Sequence, residues 1–334
     1  MIPATHTVRE TKWRGYNAVE AENDALKVTV VPGLGSRIVS LYSKKKQLEL
    51  LRVPTSVEAY EQAPMLYGVP ILFPPNRIAD GSFFFHGRIY QFDQNDIDTG
   101  SHSHGLVHDK EWKQVDLYTT DVASVIITEF NSVHDPEVMK QLPHPFRLVM
   151  KLSLEAGKVT QKIEVHNESN DEFPWGIGYH TTFQFPFGAA STKEGCKLHA
   201  PVGRRWELTE RFLPTGNMIT DSRSQLLNAG MIIKGVKLDD LFETNRGLVN
   251  EAIMTDRDAG LQVRYTADSS FGHWVLHNGD GDGNYVCPEP YTCVTNAFNL
   301  ALPPDQTGMN TIQPGECQTV TCAFQVEYLI EVDY

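Results

Sequence analysis

Short segments of alternating apolar and polar residues constrain the fold more than any other feature of this sequence. Residues 25–31 read ALKVTVV, and after a Pro-Gly-Leu-Gly break the alternation resumes as SRIVSLYS at 36–43. Alternation with a period of two, interrupted by Gly, Pro and Asp turns, is typical of antiparallel strands in a meander. The same pattern recurs at 82–92, 123–130, 146–169, 261–267, 271–278 and 317–329.

Turn signals predict how some of these strands pair. Residues 146–169 predict a hairpin whose turn is the Glu-Ala-Gly-Lys segment at 155–158. Residues 261–267 and 271–278 predict a second pair across a short Asp-Ser-Ser link.

Helical signals are few. Residues 56–62 begin with a Ser at a capping position, and residues 136–142 begin with a proline, which favours a first helical turn. Many strands without a polar linker predict stacked antiparallel sheets, and an all-β chain of 334 residues can form one domain. The predicted fold is therefore all-β, a large antiparallel β-sandwich that forms a single domain over residues 1–334.

The charge distribution argues against nucleic-acid and membrane partners. The formal net charge is −13, whereas nucleic-acid binding needs a basic surface that displaces counterions. The one dense basic cluster, residues 44–46, lies between two strand-like segments and predicts a solvated hairpin tip. The N-terminus lacks an apolar signal core, and no apolar run approaches the about 20 residues that span a bilayer. These features predict a soluble, cytoplasmic protein.

The number and spacing of the cysteines are consistent with a cytoplasmic location. Their number is odd, their spacing is scattered, and no C-x-x-C occurs, so a disulfide framework or a zinc ribbon is disfavoured. Reduced thiols in a cytosolic protein are expected. The five are Cys196, Cys287, Cys293, Cys317 and Cys322.

The first polar cluster in an otherwise apolar setting is Asn76-Arg77 in YGVPILFPPNRIADG. Proline fixes the backbone φ angle, so the approach to Arg77 is expected to be rigid. The planar guanidinium of arginine suits hydroxyl or carboxylate oxygens, which predicts a ligand-binding role. A surface ion pair of Arg77 is the alternative interpretation.

Three histidines, His102, His104 and His108, occur in GSHSHGLVHDKEW. His104 and His108 have the i,i+4 spacing of a zinc motif, but the segment has no helical pattern and lacks the glutamate of H-E-x-x-H. A metal hydrolase that uses these histidines is one hypothesis. A hydrogen-bonding histidine beside Gly105, which allows close approach of a ligand, is favoured.

A single histidine, His180, lies in the apolar segment PWGIGYHTTFQFP. Gly176 and Gly178 are expected to leave room for a ligand, and Phe183 and Phe185 to form apolar walls. Histidine titrates near pH 6.5 when unperturbed, so it can give or take a proton. Taken alone, the segment favours a hydrogen-bonded core histidine over a catalytic one.

Glu289 lies between two prolines in CPEPYTCVTNAFN, so the backbone around it lacks two donors. A carboxylate in this apolar setting is expected to have a raised pKa, which suits a general base. An exposed loop glutamate is the alternative interpretation.

An acidic segment, HNGDGDGNY, precedes Glu289 and contains residues 280–284, in which Asp and Asn alternate with Gly. A calcium-binding EF-hand needs a glutamate at position 12, where this chain has Tyr291. A flexible hairpin turn is therefore predicted, and ion binding there is left open.

Together these segments resemble the aldose 1-epimerase (galactose mutarotase) family. They occur in the family's order, and the Pro-x-Asn-Arg and Gly-x-His-x-x-Phe patterns are fairly specific in combination. The resemblance implies a β-supersandwich that binds a sugar in a cleft over one sheet, with no metal and no cofactor. The segments are GVPILFPPNRIADGSFFFHGRIYQF (68–92), HGLVHDKEW (104–112), GIGYHTTFQF (176–185), LDDLF (238–242) and PEPYTCVTNAFN (288–299).

The resemblance also implies the catalytic pair: His180 as the acid and Glu289 as the base. Exchange of sugar anomers needs a proton removed from the C1 hydroxyl and a proton added to the ring oxygen, so that the ring opens and recloses. For His180 to begin as the acid it must be protonated, and a nearby carboxylate such as Asp239 is expected to raise its pKa.

The same resemblance implies the substrate-binding residues. The Asn-Arg segment supplies Asn76 and Arg77 as binders of sugar hydroxyls, and His104 would hold the ring-oxygen side. Asp239 would be a hydroxyl ligand, with Asp240 as the alternative.

One departure from the galactose-type pattern leaves the substrate open. Thr181 and Thr182 follow the histidine in place of the usual neighbours, which indicates a divergent bacterial branch related to sugar-phosphate epimerases. Arg204 and Arg205 are a candidate phosphate site, although adjacent residues of a strand point to opposite faces.

The predicted function is therefore mutarotation of a small-molecule hexose. The alternatives are a hexose-6-phosphate 1-epimerase and a non-catalytic carbohydrate-binding protein on the same fold. A homodimer is an open alternative for the assembly.

Overall fold

The computed structural model, which describes residues 5–330, is built of β-strands with four short helices. The helices are α1 (Val57–Gln62), α2 (Pro136–Gln141), α3 (Ser222–Ala229) and α4 (Pro304–Thr307). The strands are β1 (Thr7–Trp13), β2 (Tyr16–Glu22), β3 (Leu26–Val31), β4 (Arg37–Ser43), β5 (Leu48–Glu49), β6 (Ile71–Leu72), β7 (Arg77–Ala79), β8 (Ser82–Phe85), β9 (Arg88–Gln91), β10 (Ser101–Ser103), β11 (Lys113–Thr119), β12 (Ser124–Asn131), β13 (Phe146–Glu155), β14 (Lys158–Asn167), β15 (Phe173–Trp175), β16 (Gly178–Tyr179), β17 (Phe183–Gln184), β18 (Cys196–His199), β19 (Val202–Leu208), β20 (Pro214–Ile219), β21 (Asp239–Thr244), β22 (Glu251–Asp256), β23 (Leu261–Ala267), β24 (His273–His277), β25 (Tyr285–Tyr291), β26 (Asn310–Ile312) and β27 (Cys317–Tyr328).

Two large sheets dominate the arrangement. The first has the strand order β11-β12-β13-β14-β27-β23-β22-β18. The second has the order β20-β19-β21-β24-β25-β16-β6, with β17 also paired to β25. A five-stranded sheet runs in sequence order from β1 to β5, and three strand pairs (β7–β10, β8–β9 and β15–β26) complete the described part. These strand pairings are antiparallel, which confirms the predicted all-β antiparallel fold.

Aromatic side chains from the two large sheets meet in the core. Tyr265 of β23 and Phe324 of β27 stack at 4.5 Å between ring centroids, and Phe183 of β17 packs edge-on against both, at 6.1 and 5.9 Å. Trp274 of β24 packs against Tyr265 at 5.6 Å. Because β17 and β24 belong to the second sheet, these contacts join the two inner faces as in a sandwich.

One predicted hairpin is confirmed and another is wrong. The turn at 156–157 joins β13 and β14, which pair along their whole length. Strands β23 and β24, predicted to pair with each other, lie in different large sheets. The link between them crosses the sandwich because Asp268 is bonded to β27: its backbone N donates to the Thr321 carbonyl at 3.0 Å, and its carboxylate accepts from Thr321 N at 2.6 Å.

Both predicted helices are present, and each has a side-chain cap. The Ser56 hydroxyl accepts a hydrogen bond from Ala59 N at 3.1 Å at the start of α1, and Asp135 caps α2. Helix α3 was not predicted, because its sequence SRSQLLNA has no apolar periodicity and buries only Leu227. Residues 44–46 lie in the turn between β4 and β5, as predicted.

Within residues 5–330, none of the helices has the length and apolar character that crossing a bilayer requires.

Candidate active site

A gap beside strand β25 brings the two predicted catalytic residues together. One flank of β25 pairs with β24, and on the other flank β16 pairs at Tyr291 while β17 pairs at residues 285–286. The chain between β16 and β17 leaves the sheet at residues 180–182, so His180 lies opposite Glu289. Their Nε2 and Oε1 atoms are 3.3 Å apart.

The same gap explains how β25 accommodates prolines on both sides of Glu289. Prolines cannot donate to a β-ladder and are normally confined to edges and bulges. The residues from 287 to 290 have no ladder partner on the open flank among the described strands, so no ladder bond is lost there. Glu289 is therefore a buried strand residue, not an exposed loop residue.

Burial controls the protonation of this pair. His180 is 7% exposed and Glu289 1% exposed. Burial lowers the pKa of His180 well below its usual value, and the nearby His104 and His277 lower it further. Burial raises the pKa of Glu289 well above its usual value, in the direction expected from the sequence, although the Tyr291 hydroxyl opposes it. The expectation that a carboxylate raises the pKa of His180 is wrong.

Tyr291 holds the Glu289 carboxylate. Its hydroxyl donates to Glu289 Oε2, and the side-chain amide of Asn76 donates to the tyrosine oxygen at 3.3 Å. Oε1 is left to face His180. The chain Asn76–Tyr291–Glu289 therefore fixes the orientation of the carboxylate.

The two glycines near His180 make room for protein side chains and not, as predicted, for a ligand. A Cβ on Gly178 would overlap the Tyr291 ring and lie 2.9 Å from Pro75 Cβ, and a Cβ on Gly176 would overlap Cys293 Sγ. Gly178 thus allows Tyr291 to reach Glu289.

Substitution of Gly178 by Ala is expected to lower the free energy of unfolding by about 1–3 kcal/mol, because the added methyl overpacks the site. Urea denaturation measures the change. Gly33→Ala is the matched control, since a Cβ there meets nothing within 4 Å and its stability should be unchanged. Equal stability of the two variants would contradict the role given to Gly178.

Phe183 and Phe185 do not form a wall of the site. Phe183 packs in the core against the aromatic residues of the first large sheet, and Phe185 packs against Phe187 at 5.4 Å. Successive side chains of a strand point to opposite faces, so residues two positions apart share a face. Phe183 and Phe185 both point into the hydrophobic core. The sequence prediction of an apolar wall was therefore wrong.

Three residues near the pair have left-handed backbone conformations. Asn76 has a φ of 55°, His104 of 68° and Asn296 of 59°. They are linked, because His104 N donates to the Asn76 carbonyl at 2.9 Å and Asn296 N donates to the Arg77 carbonyl at 2.9 Å. Strained conformations of non-glycine residues tend to cluster at functional sites, where surrounding contacts hold them.

His104, which the resemblance implied as a binder of the ring-oxygen side of the sugar, lies against His180. The two rings meet edge to face, with centroids 5.4 Å apart. Burial, with smaller contributions from the nearby His108 and Arg77, lowers the pKa of His104 to about 3. His104 is therefore neutral at working pH, and its buried Nδ1 has no hydrogen-bond partner among the described residues.

Arg77 is already engaged by the protein. Its Nε donates to Asp96 at 2.8 Å, its Nη1 lies 3.4 Å from the Asn76 side-chain oxygen, and its guanidinium lies over the Phe212 ring. The ion pair that the sequence offered as an alternative is present. It orients the guanidinium beside Asn76 at the site.

Asp239 contacts His277, a residue that the sequence patterns did not indicate, and His277 lies near His180. Asp239 and His277 are cross-strand neighbours on β21 and β24, with Oδ1 and Nδ1 3.5 Å apart. Burial opposes ionisation of Asp239, but the contact with His277 and the charges of Arg77 and Lys237 together outweigh it and lower the pKa. The His277 ring lies 6.2 Å from that of His180. Asp240, the alternative ligand, instead pairs with Arg205 and Arg223.

The three histidines at 102–108 do not converge as metal ligands. His102 Nδ1 lies 2.7 Å from the Asp93 carbonyl, while His104 lies against His180. Among residues 5–330, two groups of three have ligand atoms within 4.8 Å of one another and could hold a metal ion. They are Glu164, His166 and Cys317 at the surface, and His180, Cys287 and Glu289 in the buried site.

The acidic segment forms the turn between β24 and β25, as predicted. The Asp280 carboxylate accepts from the backbone N of Asp282 at 2.9 Å and of Gly283 at 3.3 Å. Its charge is therefore used to close the turn.

Comparison with known proteins identifies the family. The family model described as aldose 1-epimerase matches residues 17–325. The chain belongs to the aldose 1-epimerase family. A curated relative, the uncharacterized protein YihR of Escherichia coli, is 25% identical over 249 residues, which are 72% of this chain and 75% of the relative.

Solved structures of other aldose 1-epimerase homologues share the fold. A galactose mutarotase-like protein from Clostridium acetobutylicum has a TM-score of 0.92 and 25% identity, covering 97% of this chain and 99% of that chain. A galactose 1-epimerase from Lactobacillus acidophilus has a TM-score of 0.75 and 16% identity, covering 98% of this chain and all of that chain (100%). The mutarotase-like sandwich is thereby confirmed as the fold.

Proposed function

We propose that this aldose 1-epimerase family member interconverts the α and β anomers of an aldose, with His180 and Glu289 transferring the protons. The observation that supports it best is the buried contact of 3.3 Å between His180 Nε2 and Glu289 Oε1. A hemiacetal carbon bears two oxygens, and each needs a proton partner on the protein. His180 Nε2 and Glu289 Oε1, which come from separate segments of the chain, can supply these two proton partners.

In the proposed reaction, Glu289 removes the proton from the C1 hydroxyl while His180 protonates the ring oxygen. The ring opens, the C1–C2 bond rotates, and the aldehyde recloses from its other face with the two roles exchanged. His104, Arg77 and Asp239 hold the hydroxyls, so that the reacting atoms stay aligned.

The directions of the pKa shifts support a simple proton arrangement in the free pair. Burial disfavours both the imidazolium and the carboxylate, which favours a neutral His180 beside a protonated Glu289. Ring opening uses the tautomer with His180 protonated, and reclosure uses the one with Glu289 protonated. The contact between the two groups lets one proton serve both halves of the cycle.

The direct test is polarimetry of freshly dissolved α-glucose and α-galactose. The protein is expected to speed the approach to the anomeric equilibrium without changing its position. A non-catalytic carbohydrate-binding protein would bind the sugars in a calorimeter and leave the rate unchanged.

The arginines considered for a phosphate do not support the hexose-6-phosphate alternative. Arg204 Nε donates to Glu243 at 2.8 Å, and Arg205 donates to Asp221 at 2.9 Å and to Asp240 at 3.1 Å. Their charges are already paired with these carboxylates, which argues against the candidate phosphate site at 204–205.

Tyr291→Phe is expected to reduce kcat by roughly tenfold or more, because a hydrogen bond to a charged group is lost. The hydroxyl stabilises ionised Glu289, so its removal raises the pKa of Glu289 further and moves the alkaline limb of the kcat/KM profile to higher pH. Tyr42→Phe, on a strand of the five-stranded sheet, is the control. An unshifted alkaline limb would contradict the positioning role.

A further inference from the structure

The arginines around the site differ in how fully their charge is used. Arg77 is paired with Asp96. Arg37 is fully buried and donates to the backbone carbonyls of Pro64, Tyr67 and His108. Both guanidiniums therefore have protein acceptors, and neither is free for a charged ligand.

Arg52 lacks such acceptors. In the part of the chain that the structure describes, no carboxylate oxygen lies within 4.0 Å of its guanidinium, and its buried Nη1 has no hydrogen-bond partner. The guanidinium is held over the rings of Tyr67 and Tyr285, at 4.9 and 4.5 Å from their centroids. Stacking fixes the plane of the guanidinium but satisfies none of its N–H donors.

Arg52 is connected to the catalytic pair through a backbone hydrogen bond and a row of aromatic rings. Its backbone N donates to the carbonyl of Thr182, two residues after His180, at 2.9 Å. The Tyr285 ring that holds it lies 6.2 Å from the His277 ring, and that ring lies 6.2 Å from the His180 ring. Tyr285 is also on β25, on the same face as Glu289 because the two positions are four residues apart, an even offset.

We infer that Arg52 binds an anionic group carried by the aldose at the end remote from C1. This inference rests on the proposed function, because it places C1 beside the His180–Glu289 pair. A planar, pre-oriented guanidinium with free donors suits the paired oxygens of a carboxylate, phosphate or sulfonate. A hydroxyl in the same place would leave the charge of Arg52 unneutralised.

The acidic groups nearby are already engaged. Asp239 contacts His277, and Asp280 closes its own turn. They reduce the local potential but offer Arg52 no direct partner. The anion would therefore be the first negative group in contact with the guanidinium.

The test compares kcat/KM for mutarotation of glucose, glucose 6-phosphate and glucuronate. The wild type should have a higher kcat/KM for the charged sugars than for glucose. Comparison of glucose 6-phosphate with glucuronate then shows whether the site prefers a phosphate or a carboxylate. Arg52→Gln should lower kcat/KM for the charged sugars by about 10- to 100-fold and leave glucose nearly unchanged. Arg204→Gln, which removes a surface arginine, should preserve every ratio. Arg52→Lys, which keeps charge but loses the planar fork, should be intermediate.

Equal losses on charged and neutral sugars, or no preference for charged sugars in the wild type, would overturn the inference. Calorimetric binding of glucuronate and glucose 6-phosphate to wild type and Arg52→Gln gives a measurement independent of turnover. If no sugar is turned over but charged sugars bind only when Arg52 is present, the anion site stands and the proposed function fails. If glucose is turned over but charged sugars bind equally to both proteins, the proposed function stands and the anion site fails.

Discussion

Replacement of Glu289 by Gln is expected to lower kcat for mutarotation by about 10²–10⁴-fold, the usual contribution of a positioned acid–base group. Gln has almost the same shape, and its side-chain oxygen can still accept the Tyr291 hydrogen bond. It cannot accept the C1 hydroxyl proton. The anomerisation rate measured by polarimetry should therefore fall, while sugar binding measured by calorimetry should change little.

A partly buried carboxylate outside the site, Glu49, provides the control for this variant. Glu49 accepts from the Ser40 hydroxyl at 2.6 Å and from Leu41 N at 2.8 Å, and burial raises its pKa. Glu49→Gln should affect stability and leave kcat unchanged. Full activity of Glu289→Gln, or an equal loss in both variants, would remove Glu289 from the proposed reaction.

The strands could be predicted because a half-buried strand leaves a period of two in the sequence. In β13 and β14 the apolar residues alternate with exposed ones, and a Gly turn separates them, so both the strands and their pairing were predictable. Between β23 and β24 a similar turn signal predicted a hairpin. A turn signal shows that the chain changes direction, but the bonds of Asp268 to β27 determine which sheet receives the next strand.

The site could be predicted only in part. His180 and Glu289 could be found because both are titratable residues in apolar segments. The prolines beside Glu289 allowed the alternative of a loop, because the sequence does not show that one flank of β25 is open. Tyr291 could have been found, because it lies two residues after Glu289 and so on the same face of a strand. His277 carried no such signal, since its neighbour Asp239 lies on another strand.

The protonation state shows most clearly what the sequence leaves undetermined. Unperturbed values would give a protonated His180 and an ionised Glu289 near pH 5–6. Burial opposes the charged form of both groups, and the neighbouring His104 and His277 add to its effect at His180. Burial in the folded chain, which the sequence does not show, therefore shifts both groups toward their neutral forms.

Replacement of His180 by Asn is expected to reduce kcat by about 10²–10⁴-fold, because the acid for the ring oxygen is lost. The pH profile separates this role from a structural one. Catalysis needs one proton on the pair. A second proton on the pair would create a buried imidazolium at His180. Because burial lowers the pKa of His180, the acid limb of the wild-type kcat/KM profile should lie below pH 6.5. In His180→Asn only the base remains, so residual activity should rise with pH as Glu289 loses its proton.

His273→Asn is the matched control, since His273 is also buried on the second large sheet and burial lowers its pKa to about 4. It lies on β24 at the position paired with Tyr291, and it has no role in the proposed proton transfer. This variant should keep the wild-type profile, whatever its effect on thermal stability. Wild-type activity that falls with an apparent pKa of 6.5 would indicate a solvated acid, and an active His180→Asn would exclude His180 as the acid. An acid limb below pH 6.5 in the wild type that moves to higher pH in His180→Asn, and not in His273→Asn, would support a buried histidine that shares its proton with Glu289.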